Sequence, residues 1–437
     1  MTQTTNSNVN NMPDSNVNKK VSKKLIVTLS SIFAISPFAI DSYLPALPQI
    51  ASEMQVDISM LSVTVSLYIL GLGIGQLIGG PLSDKHGRLP IMLFGLSIFA
   101  ISSLLLTTST HIHVLWMWRL IEAIGGGIAI VGVPATIRDN ADGKEAAKLF
   151  SLVALIMMIA PSIAPTIGNF ILSFHTWHWV FYFIAMMSVF AMLMAIKFVP
   201  HQSARSKRQL QLDAEKAGTK TEPVKAISFL QVLTHKQAVG YMIAQGFAFA
   251  VMISFVTNSA MIYMGVFEVS AKTFSQLFAI NIVSLVIVNR LNTFLLNRFE
   301  PSTLLRFFLS MQLLGTLLLT SSLFLDIQNL TFTVIAFAIS IGANGGIVAN
   351  SSTCFLKFFG KNAGKASAVL GSFQCATGAA VSAFAAFISM GKIQPVLIIM
   401  LVSSSIALTA VIYSNKQMKL LEAQESEARR LEALAVE

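Results

Sequence analysis

Apolar runs long enough to cross a bilayer recur along nearly the whole of this chain, and no other feature constrains its fold so tightly. A helix rises 1.5 Å per residue, so a hydrocarbon core about 30 Å thick needs about 20 apolar residues. Hydropathy predicts twelve such spans. Six lie at 25–46, 60–80, 89–109, 114–134, 149–172 and 179–199, and six at 238–263, 273–296, 302–324, 330–352, 364–389 and 393–414. Backbone groups inside hydrocarbon find no water, which leaves helices or closed barrels, and runs of this length select helices. The expected fold class is an all-α membrane protein with twelve transmembrane helices in two six-helix bundles, 25–199 and 237–415, of nearly equal length.

Composition agrees with that class. Hydrophobic residues make up 54% of the chain and charged residues only 11%, against about 25% charged in a soluble domain. The formal charge of +10 does not point to nucleic acid, because the basic residues are scattered through short connections and form no single patch. With the N-terminus in the cytoplasm, 27 of the 30 Lys and Arg fall on the cytoplasmic side, leaving Lys272 and Lys392 outside and Arg119 in the membrane. The expected location is the cytoplasmic (inner) membrane of a bacterium, with both termini cytoplasmic. Residues 1–24 read as a disordered tail, 200–236 as a solvated linker and 416–437 as a second tail. Cys354 and Cys375 match no metal spacing and read as packing residues.

Arg119 and Glu122 stand out because they are charged residues inside an apolar run. A charge at the centre of a membrane helix costs about 2.5–3.5 kcal/mol on insertion scales, so such residues need pairing or a water-filled cavity. At a spacing of i,i+3 the two can share a helix face. The alternative is an intrahelical ion pair with Arg119 snorkelling outward. Asp41 and Arg119 each lie about five residues from the outer end of their spans. At 1.5 Å per residue that is roughly 7–8 Å below the outer boundary, so the two are expected to meet within the N-terminal bundle. Asp41 also has a plain reading, as a wetted residue near a helix end.

Between the second and third spans the chain reads Gly80-Pro81-Leu82-Ser83-Asp84-Lys85-His86-Gly87-Arg88. This resembles the loop motif of the major facilitator superfamily, with Lys85 where Arg is commoner. The first span ends Asp41-Ser42-Tyr43-Leu44-Pro45-Ala46-Leu47-Pro48, which resembles the bicyclomycin- and chloramphenicol-resistance (Bcr/CflA) branch of the drug:proton antiporters. The same branch is suggested by Ser66-Leu67-Tyr68 with Gly71, Gly75 and Gln76, by Ala160-Pro161-Ser162-Ile163-Ala164-Pro165-Thr166-Ile167-Gly168, and by Trp177-His178-Trp179-Val180-Phe181. Arg119 begins the family's fourth-span motif, where Gln usually stands three residues on. Glu122 departs from that pattern. The C-terminal half resembles the family by span pattern alone.

The resemblance implies the major facilitator fold and a proton-coupled multidrug exporter, not an enzyme, with no cofactor beyond the proton gradient. Small amphipathic antibiotics of the phenicol or bicyclomycin type are the implied cargo, and the implied state is a monomer in the lipid bilayer. By resemblance, Gly80, Asp84, Lys85, Gly87 and Arg88 latch the two bundles in the outward-facing state. Asp41, Glu122 and Arg119 are the expected proton-coupling set. In general, desolvation drives a carboxylate toward its neutral form and a nearby guanidinium drives it toward its ionised form, so one held between them can take up and release a proton. Tyr68, Met157, Met158, Tyr241, Gln245, Phe249, Phe255, Asn258 and Asn281 are candidates for the substrate wall, since Met and aromatic side chains give an adaptable apolar surface. A proton symporter importing a nutrient is the second reading. A membrane enzyme lacks a catalytic constellation, because His111, His113, His175 and His178 sit near span ends with no nucleophile or metal motif around them. A receptor would leave the loop motif unexplained.

Overall fold

The computed structural model describes residues 23–140, 143–200, 228–324, 329–360, 363–389 and 391–434, and every regular element among them is helical. The first half holds α1 (Lys23–Asp41), α2 (Leu47–Met54), α3 (Ile58–His86), α4 (Arg88–Leu106), α5 (Ile112–Asn140), α6 (Gly143–Leu172) and α7 (His178–Phe198). The second holds α8 (Phe229–Leu233), α9 (Val239–Ala260), α10 (Ala271–Leu295), α11 (Pro301–Phe324), α12 (Leu330–Gly342), α13 (Asn344–Leu356), α14 (Ala363–Ser389) and α15 (Ile393–Leu434). Among the described residues eleven helical paths are long and apolar enough to cross a membrane, and the remaining expected span falls on α6, a helix of 30 residues. The expected N-terminal tail up to residue 22 and the linker from 201 to 227 lie outside the described residues.

Two expected boundaries move, each for a physical reason. The first crossing does not end at residue 46. α1 stops at Asp41, a 3-10 turn covers Leu44–Ala46, and α2 carries the path on to Met54. Pro45 and Pro48 fall in the first turns of these two elements, where a missing N–H breaks no helical bond. Asp41 therefore sits at a break well inside the crossing, thirteen residues before its end at Met54, and not five residues from an outer end. The motif from Gly80 is not a loop either. α3 runs through Pro81 to His86, and only Gly87, at φ 98°, separates it from α4. That backbone angle suits a residue without a Cβ. At its other end α3 is capped by Asp57, whose carboxylate accepts from the Ser59 N–H at 2.7 Å.

Membrane helices associate through close packing of small residues, and α5 is built that way. Gly125 packs against the backbone of α4 at Gly95, and Gly127 against α3 at Leu72 and Gly75. A Cβ on Gly95 would stand 2.6 Å from the Gly125 carbonyl oxygen. α5 is thus held at backbone contact on two sides, and its mid-helix Arg119 and Glu122 are buried.

The two halves are joined unequally at their two ends. One apolar core runs through the N-terminal bundle and continues into the C-terminal bundle through Phe255, Met261, Tyr263, Phe274, Phe337 and Val396. These residues lie toward the end of the molecule that carries Asp57. A separate core, including Val232, Leu305, Phe308, Ile347 and Val411, belongs to the C-terminal bundle alone and lies toward the end that carries Asp84. The hydrogen bonds between halves follow the first core. Ser66 Oγ and Ser382 Oγ are 2.7 Å apart, and the Ser275 hydroxyl donates to the Pro165 carbonyl at 3.1 Å. The described bundles close on each other at the Asp57 end.

Candidate functional site

Arg119 and Glu122 project from one face of α5 into the middle of the N-terminal bundle, and both side chains are fully buried. The Arg119 Nη1 donates to Glu122 Oε2 at 2.7 Å. The second carboxylate oxygen of Glu122 accepts from the Ser103 hydroxyl of α4, also at 2.7 Å. The guanidinium reaches α1 through Nη2, which donates to the Ala39 carbonyl at 3.1 Å. Three rings surround it: Tyr43 and Tyr68 with centroids 4.8 Å from its central carbon, and Phe181 at 5.7 Å. Aromatic faces attract a cation, and the attraction grows when water is excluded. Arg119 Nε is buried without a hydrogen-bond partner among the described residues. The pair is intrahelical, but Arg119 does not snorkel.

Asp41 does not meet Arg119 as its depth suggested. The guanidinium takes the backbone of Ala39, two residues earlier, and Asp41 makes no ion pair among the described residues although it is only 5% exposed. Its place comes from the break after α1. The Ser42 N–H and hydroxyl both turn back to the Phe38 carbonyl, and Gly168 of α6 packs on the Ser42 backbone. The preceding residue, Ile40, packs on the cluster formed by Ile69 and, across the seam between the halves, Ile253 and Ala379. The arrangement holds one compensated ion pair beside one buried carboxylate with no counter-ion, and the carboxylate's segment lies on the seam.

Of the expected wall residues, Tyr68 lies over Arg119. Phe249 and Cys375 sit on the seam with Ile40. Gln245 donates to Gln374 Oε1 at 2.6 Å and accepts from the Ser352 hydroxyl at 3.0 Å, linking α9 to α14 and α13. Asn258 and Asn281 are buried, with their side-chain oxygens unpartnered and their amides bound to helix carbonyls. Phe255 is enclosed by the rings of Tyr263, Phe278 and Phe337 and packs as core. Tyr241 donates to Asn415 Oδ1 at 2.6 Å toward the Asp84 end, away from the ion pair. The side chains of Met157 and Met158 lie outside the described residues.

At the Asp84 end, Arg88 Nη1 pairs with Asp84 at 2.6 Å and Arg88 Nε with Asp139 of α5 at 3.1 Å. Gly80 and Lys85 lie within α3, and Gly87 makes the break that lets Arg88 begin α4. Ion pairing of this motif stays inside the N-terminal half among the described residues. Ser103, the Ala39 carbonyl, and the rings of Tyr43 and Phe181 were not expected in the site. The Ser102-Ser103 pair inside an apolar span was the available signal, since a hydroxyl buried in hydrocarbon needs a partner.

A family model described as Major Facilitator Superfamily matches residues 29–383. The bicyclomycin resistance protein homolog of Haemophilus influenzae is 29% identical over 376 residues, covering 86% of this chain and 92% of that protein. The multidrug resistance protein MdtL of Shewanella oneidensis is 28% identical over 388 residues, covering 88% and 94%. Among solved structures, the xylose transporter XylE from E. coli in a partially occluded inward-open conformation matches with a TM-score of 0.66 over 90% of this chain and 97% of that one. At 16% identity this is a likeness of fold alone.

Proposed function

The chain belongs to the major facilitator superfamily, and from that premise we propose that it is a proton-coupled exporter of small amphipathic antibiotics, of the phenicol or bicyclomycin type, working by alternating access. The relatives named for bicyclomycin and multidrug resistance support the cargo class. The observation that carries the coupling is the buried, unpaired carboxylate of Asp41 on the seam, beside an ion pair that already compensates Arg119. Charges in a membrane interior mark substrate and proton pathways.

The excess of Lys and Arg on the Asp84 side puts that end in the cytoplasm. Closure at the Asp57 end then makes the described state inward-facing, able to take cargo from the cytoplasm. Asp41 releases its proton as cargo enters from that side. Rocking of the bundles exposes the site outward, cargo leaves, and a proton from outside neutralises the carboxylate for the return. Arg119 and its cage hold α1 and α5 together so that this segment moves as one body. One proton crossing about 100 mV supplies about 2.3 kcal/mol, and about one pH unit adds about 1.4. Together these support roughly a 500-fold gradient of a neutral solute. Asp84 and Arg88 re-form contacts across the halves in the outward-facing state, and the chain works as a monomer in the bacterial inner membrane.

The test is substrate-induced proton release from the purified protein and from proteoliposomes. Chloramphenicol or bicyclomycin should release protons from wild type and none from Asp41→Asn. Release by Asp41→Asn equal to wild type would overturn the assignment of Asp41, and uptake in place of release would indicate symport.

A further inference from the structure

A cavity of about 510 Å³ opens at the Asp84 end of the C-terminal bundle, remote from the ion pair of the N-terminal bundle. The first turns of α9 and α11, the last turn of α13 and the middle of α15 frame it. Arg306 and Lys357 line it, both exposed and neither in an ion pair among the described residues. Glu300 lines it too, so one negative charge opposes two positive ones. Ser302 adds a hydroxyl from the first turn of α11. Asn415 adds a side-chain amide whose oxygen accepts from the Tyr241 hydroxyl and whose NH₂ group is of donor type. The helices that carry Arg306 and Asn415 also bear large exposed side chains close to them in sequence: Phe307 at 53%, Ile412 at 54% and Tyr413 at 53%.

We propose that this cavity binds a phosphate oxyanion, presented by an anionic phospholipid headgroup at the leaflet boundary. Guanidinium and ammonium groups are the usual phosphate donors, Arg by a two-point contact and Lys as a point charge. Basic pockets at the ends of membrane helices suit such headgroups, and the exposed side chains on the same helices offer a surface for the acyl chains. A free phosphate would use the cavity but not that surface. The proposal uses neither Asp41 nor the Arg119–Glu122 pair, and so stands or falls apart from proton coupling.

The test is native mass spectrometry of the full chain in detergent, titrated with phosphatidylglycerol, phosphatidylcholine or inorganic phosphate. One phosphatidylglycerol per chain should be retained in preference to phosphatidylcholine. Retention should weaken roughly thirtyfold in the Arg306→Gln, Lys357→Gln double variant, from about one leaflet-surface contribution per basic residue. Glu300→Gln removes the opposing charge and should strengthen retention roughly fivefold. Displacement of phosphatidylglycerol by millimolar phosphate would support the oxyanion site and assign it to free phosphate. Equal retention of the two lipids, or phosphatidylglycerol binding unaltered in both variants, would overturn the proposal.

Discussion

Arg119 gives its charge to Glu122, three residues along the same helix at 2.7 Å, and only a backbone contact to the helix that carries Asp41. The two buried carboxylates described in the N-terminal bundle, Asp41 and Glu122, are therefore not equivalent. One belongs to a closed electrostatic unit, and the other has no counter-ion within the described residues.

Glu122→Ala leaves a buried guanidinium that cannot shed its proton, and should cost about 3–5 kcal/mol of stability. Glu122→Gln should cost less, because the amide oxygen still accepts from Arg119. The Arg119→Met, Glu122→Leu double variant, which removes both charges, should melt closer to wild type than Glu122→Ala while losing transport. Thermal melting of the purified proteins orders the three, and a Glu122→Ala variant as stable as wild type would refute the compensated pair.

Asp41→Asn puts a neutral amide where a buried carboxyl has no ion partner, so its melting temperature should stay at or above that of wild type. Its drug export should lose all dependence on the pH gradient, measured as antibiotic accumulation in a pump-deficient host. Gradient-driven export retained in full would dismiss Asp41 as the coupling site.

Gly73 of α3 faces Cys375 of α14 across the seam, about midway along both helices. A Cβ built on Gly73 stands 2.9 Å from the Cys375 Cβ and 3.9 Å from its sulfur. A disulfide needs about 3.5–4.5 Å between Cβ atoms, a small outward adjustment. Gly73→Cys in a Cys354→Ser background should cross-link with oxidant, seen as a gel shift after cleavage in the 201–227 segment. Transport should stop on oxidation and return on reduction. Cross-linking that leaves transport intact would show that the halves do not separate there.

The Asp84 side chain is 70% exposed, and its pair with Arg88 can contribute at most about 1 kcal/mol. Asp84→Asn should therefore melt with wild type, yet slow export several-fold if the motif serves the opposite state. Equal export rates in a proteoliposome assay would leave the motif a structural corner only.

Much of this was legible in the sequence because hydrocarbon allows the backbone so few solutions. Span number and the i,i+3 relation of Arg119 to Glu122 follow from length and helical period alone. Depth along the first span misplaces Asp41, because the first crossing is not one unbroken helix. Pro45 and Pro48 marked a break, but a proline in a membrane span says neither how far the chain continues nor which way the next side chain points. The loop motif was read as ending the helix at Gly80, whereas Pro81 and the charged residues after it continue α3 for another turn and a half. The cage was the least visible part. Tyr43, Ser103 and Phe181 come from three separate elements, and no spacing in one dimension brings two rings to the guanidinium and a hydroxyl to its carboxylate partner.

The apolar core that crosses between the halves at the Asp57 end has a thermal consequence. To open that end, the 3-10 turn at Leu44–Ala46 must part from α9 and α10, and the π-helical turn at Met261–Val266 from α3. Water then meets surface that includes Leu44, Met261 and Tyr263, all buried in the described state. Wetting apolar surface raises heat capacity, by about 0.45 cal/mol/K for each Å². Turnover limited by this opening would show a curved Eyring plot whose apparent activation enthalpy grows as temperature rises, which proton transfer within the site would not produce.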